Sequence, residues 1–161
     1  MASHAQLTKR SILRRVTKVF DPLGFVSPFV LRAKILLQEL WTRGIGWDDP
    51  ITAETHRHAH NWLNELEDLQ TVKIPRCLQN SSDVKLVTIH TFVDASKDAY
   101  GAVSYLRSEH LDGCINVNII ASKKRVAPLT TVSVPRLESL AAVLGLRLTM
   151  VIATVFGNFY L

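Results

Sequence analysis

The apolar positions of this chain change their period twice. From residue 6 to 70 they recur every three or four positions; from 84 to 121 they alternate or run together in short stretches; from 135 to 155 the helical period returns. That pattern predicts helices, then strands, then one more helix. The first helix is expected from Thr8 to Phe20, with Ile12, Leu13, Val16, Val19 and Phe20 on one side and Arg10, Arg14, Arg15 and Lys18 on the other. Lys9 breaks the pattern near the start, and Asp21-Pro22-Leu23-Gly24 is a run of breakers that stops the helix. Ser27-Pro28 opens a second helix, since Ser accepts from the first unpaired N–H groups and Pro fits the first helical position. Phe29, Val30, Ala33, Leu36, Leu37, Leu40 and Trp41 form its apolar side, and Gly44 is placed to end it. A third helix runs from about Thr52 to Leu69 on Ala59, Trp62, Leu63, Leu66 and Leu69.

Residues 75–83 then read as a linker between a helical segment, 6–74, and an α/β part, 84–161. Three strands are expected at Lys85–Asp94, Tyr100–Leu106 and Asn116–Ala121. The first is apolar on both faces near its end, as a central strand is; the third has one wetter face, which suits a sheet edge. The short links at Lys97-Asp98 and Leu111-Asp112-Gly113 favour antiparallel hairpins.

A length of 161 residues suits one domain or two small ones, and 47% hydrophobic against 20% charged residues allows a packed core. The net charge of +5 favours anionic partners, nucleic acid first. Cys77 and Cys114 are too few for a disulfide framework, which points to a reducing, intracellular setting. No apolar core follows the first residues, so no secretory signal is expected. No membrane span is expected either: the apolar stretch Met150–Phe156 is short and reads as the end of a buried helix.

Two carboxylates carry the chemistry. Asp94 ends a β-branched run, and Glu138 follows on the last helix. Leu137, Leu140, Leu144 and Leu148 make one stripe of that helix; Glu138 lies beside it with Ala141, Ala142, Gly145 and Thr149, small residues that admit a close approach to a sheet. Hard oxygen ligands on rigid elements suit Mg²⁺ or Mn²⁺. A turn cap at Asp94 and a helix-dipole role for Glu138 are the plainer alternatives. His56 and His60 share a helix face at zinc-compatible spacing, but no third ligand accompanies them, and a solvated face accounts for them better. The basic side of the first helix, and Lys123, Lys124 and Arg125 after the third strand, are candidate phosphate contacts or solvated surface.

Ordered blocks along residues 8 to about 148 add a family resemblance. They include Thr8-Lys9-Arg10-Ser11-Ile12-Leu13, Phe20-Asp21-Pro22-Leu23-Gly24-Phe25-Val26-Ser27-Pro28, Trp47-Asp48-Asp49-Pro50, Phe92-Val93-Asp94-Ala95-Ser96, Arg125-Val126-Ala127-Pro128-Leu129 and Pro135-Arg136-Leu137-Glu138. The chain resembles the polyproteins of BEL/Pao retrotransposons, in the segment joining reverse transcriptase to ribonuclease H. The resemblance implies an α/β (α+β) chain: an N-terminal helical connection followed by a partial RNase H-like fold of three antiparallel strands and one helix. It also implies metal-dependent hydrolysis of RNA in RNA–DNA hybrids, with Asp94 and Glu138 holding Mg²⁺ or Mn²⁺, and the rest of the Pol polyprotein as partner. The family pattern needs a third Asp and a later Asp or His. No Asp or Glu follows Glu138 here, so the chain alone is expected to be incomplete for catalysis. A non-catalytic nucleic-acid-binding module is the alternative. The family is also labelled a peptidase, but Asp94-Ala95-Ser96 lacks the Asp-Thr/Ser-Gly of a retroviral-type aspartic protease.

Overall fold

A computed structural model describes residues 7–74 and 83–156. The chain divides into two compact units, one of Met1–Phe20 with Pro28–Ile74, the other of Asp21–Ser27 with Pro75–Leu161. Most of the expected linker, residues 75–82, lies outside the described residues.

The first unit is helical: α1 (Lys9–Val16), α2 (Ser27–Thr42) and α3 (Ala53–Asp68), with a 3₁₀ turn at Leu69–Thr71. A reciprocal cap starts α1, in which Ser11 N–H donates to the Thr8 hydroxyl and Thr8 N–H donates to Ser11 Oγ at 2.9 Å. The helix stops at Val16, a turn before the expected end, because Lys18 and Val19 donate to carbonyls three residues back. Phe20 therefore leaves the predicted apolar side and is 91% exposed. Ile12 and Val16 pack with Ala33, Leu36 and Leu40 of α2 and Ala59 and Trp62 of α3. Trp62 stacks on Phe29 with ring centroids 4.9 Å apart, and its indole N–H donates to the Phe29 carbonyl at 3.0 Å. Arg32 forms an ion pair with Glu65, tying α2 to α3.

Lys9, the residue that spoils the helical pattern, is buried. Its ammonium lies 4.8 Å from the Trp41 ring centroid and 5.1 Å from that of Trp47. Two indole faces offset part of the cost of drying a cation that would otherwise stay in water.

The second unit is a three-stranded antiparallel sheet, order β1 (Val84–Ala95), β2 (Ala99–His110), β3 (Ile115–Val126), with α4 (Val134–Phe156) packed on one face. Both expected hairpins form. In the first, Ser96 closes the turn: its N–H donates to the Ala99 carbonyl at 2.8 Å, and its hydroxyl accepts from Asp98 and Ala99 N–H at 3.3 Å. In the second, Gly113 takes a φ of 85° and the Asp112 carboxylate accepts from Cys114 N–H at 2.9 Å.

Two expectations change. β2 is central and β1 lies at an edge of the described sheet. Strand β3 also runs on to Val126, so Lys123, Lys124 and Arg125 lie within the ladder rather than in a loop after it. A run of three cations hides a strand whose alternate residues still find partners on β2.

The buried stripe of α4 is Leu137, Ala141, Gly145, Leu148 and Ile152, whereas Leu140 is exposed. Gly145 sets that orientation: a Cβ there would sit 2.5 Å from Val93 Cγ1 and 3.3 Å from Thr91 Cγ2. The expected apolar stretch Met150–Phe156 forms the end of this 23-residue helix, which is long and apolar enough to cross a membrane by length and composition alone. Its small-residue side is committed to the sheet.

The breaker run after α1 does more than stop a helix. Ser122 of β3 donates its N–H to the Leu23 carbonyl at 2.8 Å and its hydroxyl to the Gly24 carbonyl at 2.5 Å. Gly24 has a φ of +79°, and a Cβ on it would lie 2.0 Å from the Ser122 carbonyl oxygen. Asp21–Ser27 therefore belongs to the sheet unit.

Candidate functional site at the end of the sheet

Side chains alternate between the two faces of a strand. In β1, Val87, Ile89, Thr91 and Val93 face α4, as the packing of Gly145 on Val93 and Thr91 shows. Asp94 therefore points to the opposite, open face, directly across from Gly101 of β2, which in turn faces Lys124 of β3. The carboxylate is exposed and makes no hydrogen bond or ion pair with the described residues. The turn beyond it is held by Ser96, so Asp94 does not serve as its cap.

Helix α4 runs antiparallel to β1: Thr149 bonds Thr91 at 2.6 Å, and Gly145, one turn earlier, reaches Val93. Thr91 also bonds Ser104 of β2 at 2.8 Å, so three hydroxyls fix the helix to two strands. Glu138 lies seven residues before Gly145, on the same side of the helix and about 10 Å further along its axis. That displacement carries it past Val93 to the end of the sheet that holds Asp94. Glu138 is exposed and has no partner among the described residues. The structure thus brings the two acids to one end of the sheet, Asp94 on its open face and Glu138 on the helix covering the other.

The cations of β3 divide in the same way. Lys124 shares a row with Asp94, while Lys123 and Arg125 point to the other face. Lys124 lies across Gly101: a Cβ on that glycine would meet Lys124 Cγ at 2.9 Å. Partial burial there holds the ammonium pKa below its usual value, and no carboxylate pairs with it among the described residues. The sequence signal for this row is a glycine inside a strand, which marks a close approach.

In the helical unit, Arg14, Arg15 and Lys18 line an open groove of about 930 Å³ with Thr8, Arg10, Ser11, Leu66 and Leu69. Arg10 is already engaged, its guanidinium forking onto Asp48 at 2.7 and 2.9 Å. That pairing raises the Arg10 pKa and lowers that of Asp48. Arg14, Arg15 and Lys18 have no side-chain partner among the described residues. His56 and His60 face each other with centroids 6.3 Å apart. Among the described residues no three His, Cys, Asp or Glu side chains gather as a metal site.

Among known families, the one described as Pao retrotransposon-like RNaseH-like domain matches residues 8–157. No curated protein and no solved structure matches the chain.

Proposed function

Because the chain belongs to the Pao retrotransposon-like RNaseH-like family, we propose that its sheet unit carries part of a divalent-metal site acting on the RNA strand of RNA–DNA hybrids. The reading places the chain as an intracellular segment of a retrotransposon Pol polyprotein. The observation that carries it is a pair of exposed carboxylates, Asp94 and Glu138, at one end of the sheet with no structural employment among the described residues. Two hard-oxygen donors fit Mg²⁺ or Mn²⁺, which hold few protein ligands and fill the remaining positions with water and phosphate oxygens. A bound ion supplies Lewis-acid polarisation of a phosphate and lowers the pKa of a coordinated water. Asp94 and Glu138 would hold it from a strand and a helix, elements whose backbones are fixed by the ladder and by the Thr91–Ser104–Thr149 hydroxyls.

Two acids are fewer than a two-ion site requires, so the chain alone binds hybrid and metal but cleaves too slowly to detect. The test is anisotropy of a labelled RNA–DNA hybrid in Mg²⁺ and in EDTA, beside a gel assay for cleavage. Metal-enhanced binding lost in Asp94→Asn supports the reading; binding indifferent to metal and to Asp94 removes it. Cleavage abolished by Asp94→Asn would keep the site and overturn its incompleteness. An aspartic peptidase gains no support, because Asp94 lies inside a paired strand instead of a glycine-tightened loop.

The unpaired cations of the α1 groove favour a second reading, nucleic-acid binding without chemistry. Replacing Arg14 and Lys18 by Ala then lowers the slope of log affinity against log salt by about 1 to 2. A slope that stays unchanged removes this reading.

A further inference from the structure

We propose that the open face of the sheet is a track for a single RNA strand, running from the Asp94 row along β1. This rests on the reading of Asp94 as the metal-holding end. Four successive rows lie on that face: Asp94–Gly101–Lys124, Phe92–Val103, His90–Tyr105, and Thr88–Arg107–Val117; on β3 the second row ends at Ser122, which is buried under Gly24. Six residues along β1 span about 20 Å, the length of a few nucleotides. Between the ends lies an open groove of about 510 Å³ lined by His90, Phe92, Val103, Tyr105, Arg107 and Val117.

Each end of the track carries a cation. At one end Lys124 leans over Gly101 without a carboxylate partner among the described residues. At the other, Arg107 and Lys85 share a single carboxylate, Glu109, at 3.4 and 3.0 Å, which leaves one positive charge in excess. The middle is aromatic. Phe92 is 60% exposed, and the Tyr105 ring meets it edge-on at 5.9 Å and 75°. That contact steadies the Phe92 ring and leaves it a surface for a base. Flat aromatic surface between cations is the composition that grips a single nucleic-acid strand through stacking and phosphate contacts. A protein segment laid on the same groove would have no use for the unpaired Lys124, nor for alignment with Asp94.

The test uses the full chain, a labelled uridine 12-mer, the matching DNA, and photocrosslinking of a 4-thiouridine version mapped by mass spectrometry. Phe92→Ala is expected to weaken RNA binding about five-fold or more, Phe92→Trp to restore it, and the crosslink to fall on Phe92 or Tyr105. Unchanged affinity in Phe92→Ala, a loss confined to DNA, or crosslinks confined to α1 would overturn the track. So would a change in self-association at constant RNA affinity, which would show a second copy on this face. A lowered Tm at constant RNA affinity would likewise show another segment of the chain there. The two proposals fail separately. Mn²⁺ held by Asp94 without a crosslink on Phe92 or Tyr105 removes the track alone. A Phe92 crosslink with Mn²⁺ binding indifferent to Asp94 removes the metal reading alone.

Discussion

Replacing Gly24 by Ala tests the clasp that makes Asp21–Ser27 part of the sheet unit. Gly24 sits at a φ of +79°, where an L-residue with a Cβ is disfavoured by about 1–2 kcal/mol. The added Cβ would also lie 2.0 Å from a backbone oxygen, that of Ser122, which cannot swing aside as a side chain would. The loop must lift, and the bonds from Ser122 N–H and Oγ to the Leu23 and Gly24 carbonyls break with it. Each is worth about 0.5–1.5 kcal/mol net. Together these effects come to about 2–5 kcal/mol, a large share of the stability of a small domain. Urea unfolding followed by the amide resonances of β1, β2 and β3 reads the sheet unit. Fluorescence reads the helical one, since all three tryptophans, Trp41, Trp47 and Trp62, lie there. Ser122→Ala removes only the hydroxyl bond and should cost about 1 kcal/mol. A Gly24→Ala chain whose sheet transition stays within about 0.5 kcal/mol of the parent would refute the clasp, since unforced surface substitutions fall in that range.

Other expectations follow from the same geometry. Gly145→Leu should cost about 1–3 kcal/mol through overpacking against Val93 and Thr91, measured by urea unfolding; a neutral result would mean α4 does not approach β1 this closely. Lys9→Ala should cost about 1–2 kcal/mol and shift tryptophan emission, because the Trp41 and Trp47 faces lose their cation; unaltered emission would contradict the contact. The Lys85 and Arg107 side chains hold the Glu109 pKa below the usual glutamate range, Lys85 foremost. The stabilisation from that pairing is full above the ordinary glutamate pKa and fades as pH falls through the lowered one. NMR titration should therefore show the Glu109 pKa rising in Lys85→Met; an unmoved titration would dismiss the pair.

Periodicity made α2 and α3 legible, and the turn residues at Lys97-Asp98 and Asp112-Gly113 made both hairpins legible. What local pattern could not show was anything set by a distant partner. Lys9 looks misplaced until Trp41 and Trp47 close over it. Gly24 reads only as a breaker because the residue that requires it, Ser122, is 98 positions away. Lys123-Lys124-Arg125 resembles a loop since strand pairing is invisible to charge. Asp94 and Glu138 stood out as residue types, but their placement on opposite faces at one end of the sheet depended on strand register and on the side of α4 that Gly145 commits to packing.

The most direct test of the proposed metal site is paramagnetic broadening of amide resonances by Mn²⁺ added to the isotopically labelled chain. The account predicts selective loss of signal around Val93–Ser96 and Arg136–Ser139, abolished by Asp94→Asn and weakened by Glu138→Gln. Broadening centred elsewhere, or equal in the parent and Asp94→Asn chains, would contradict it.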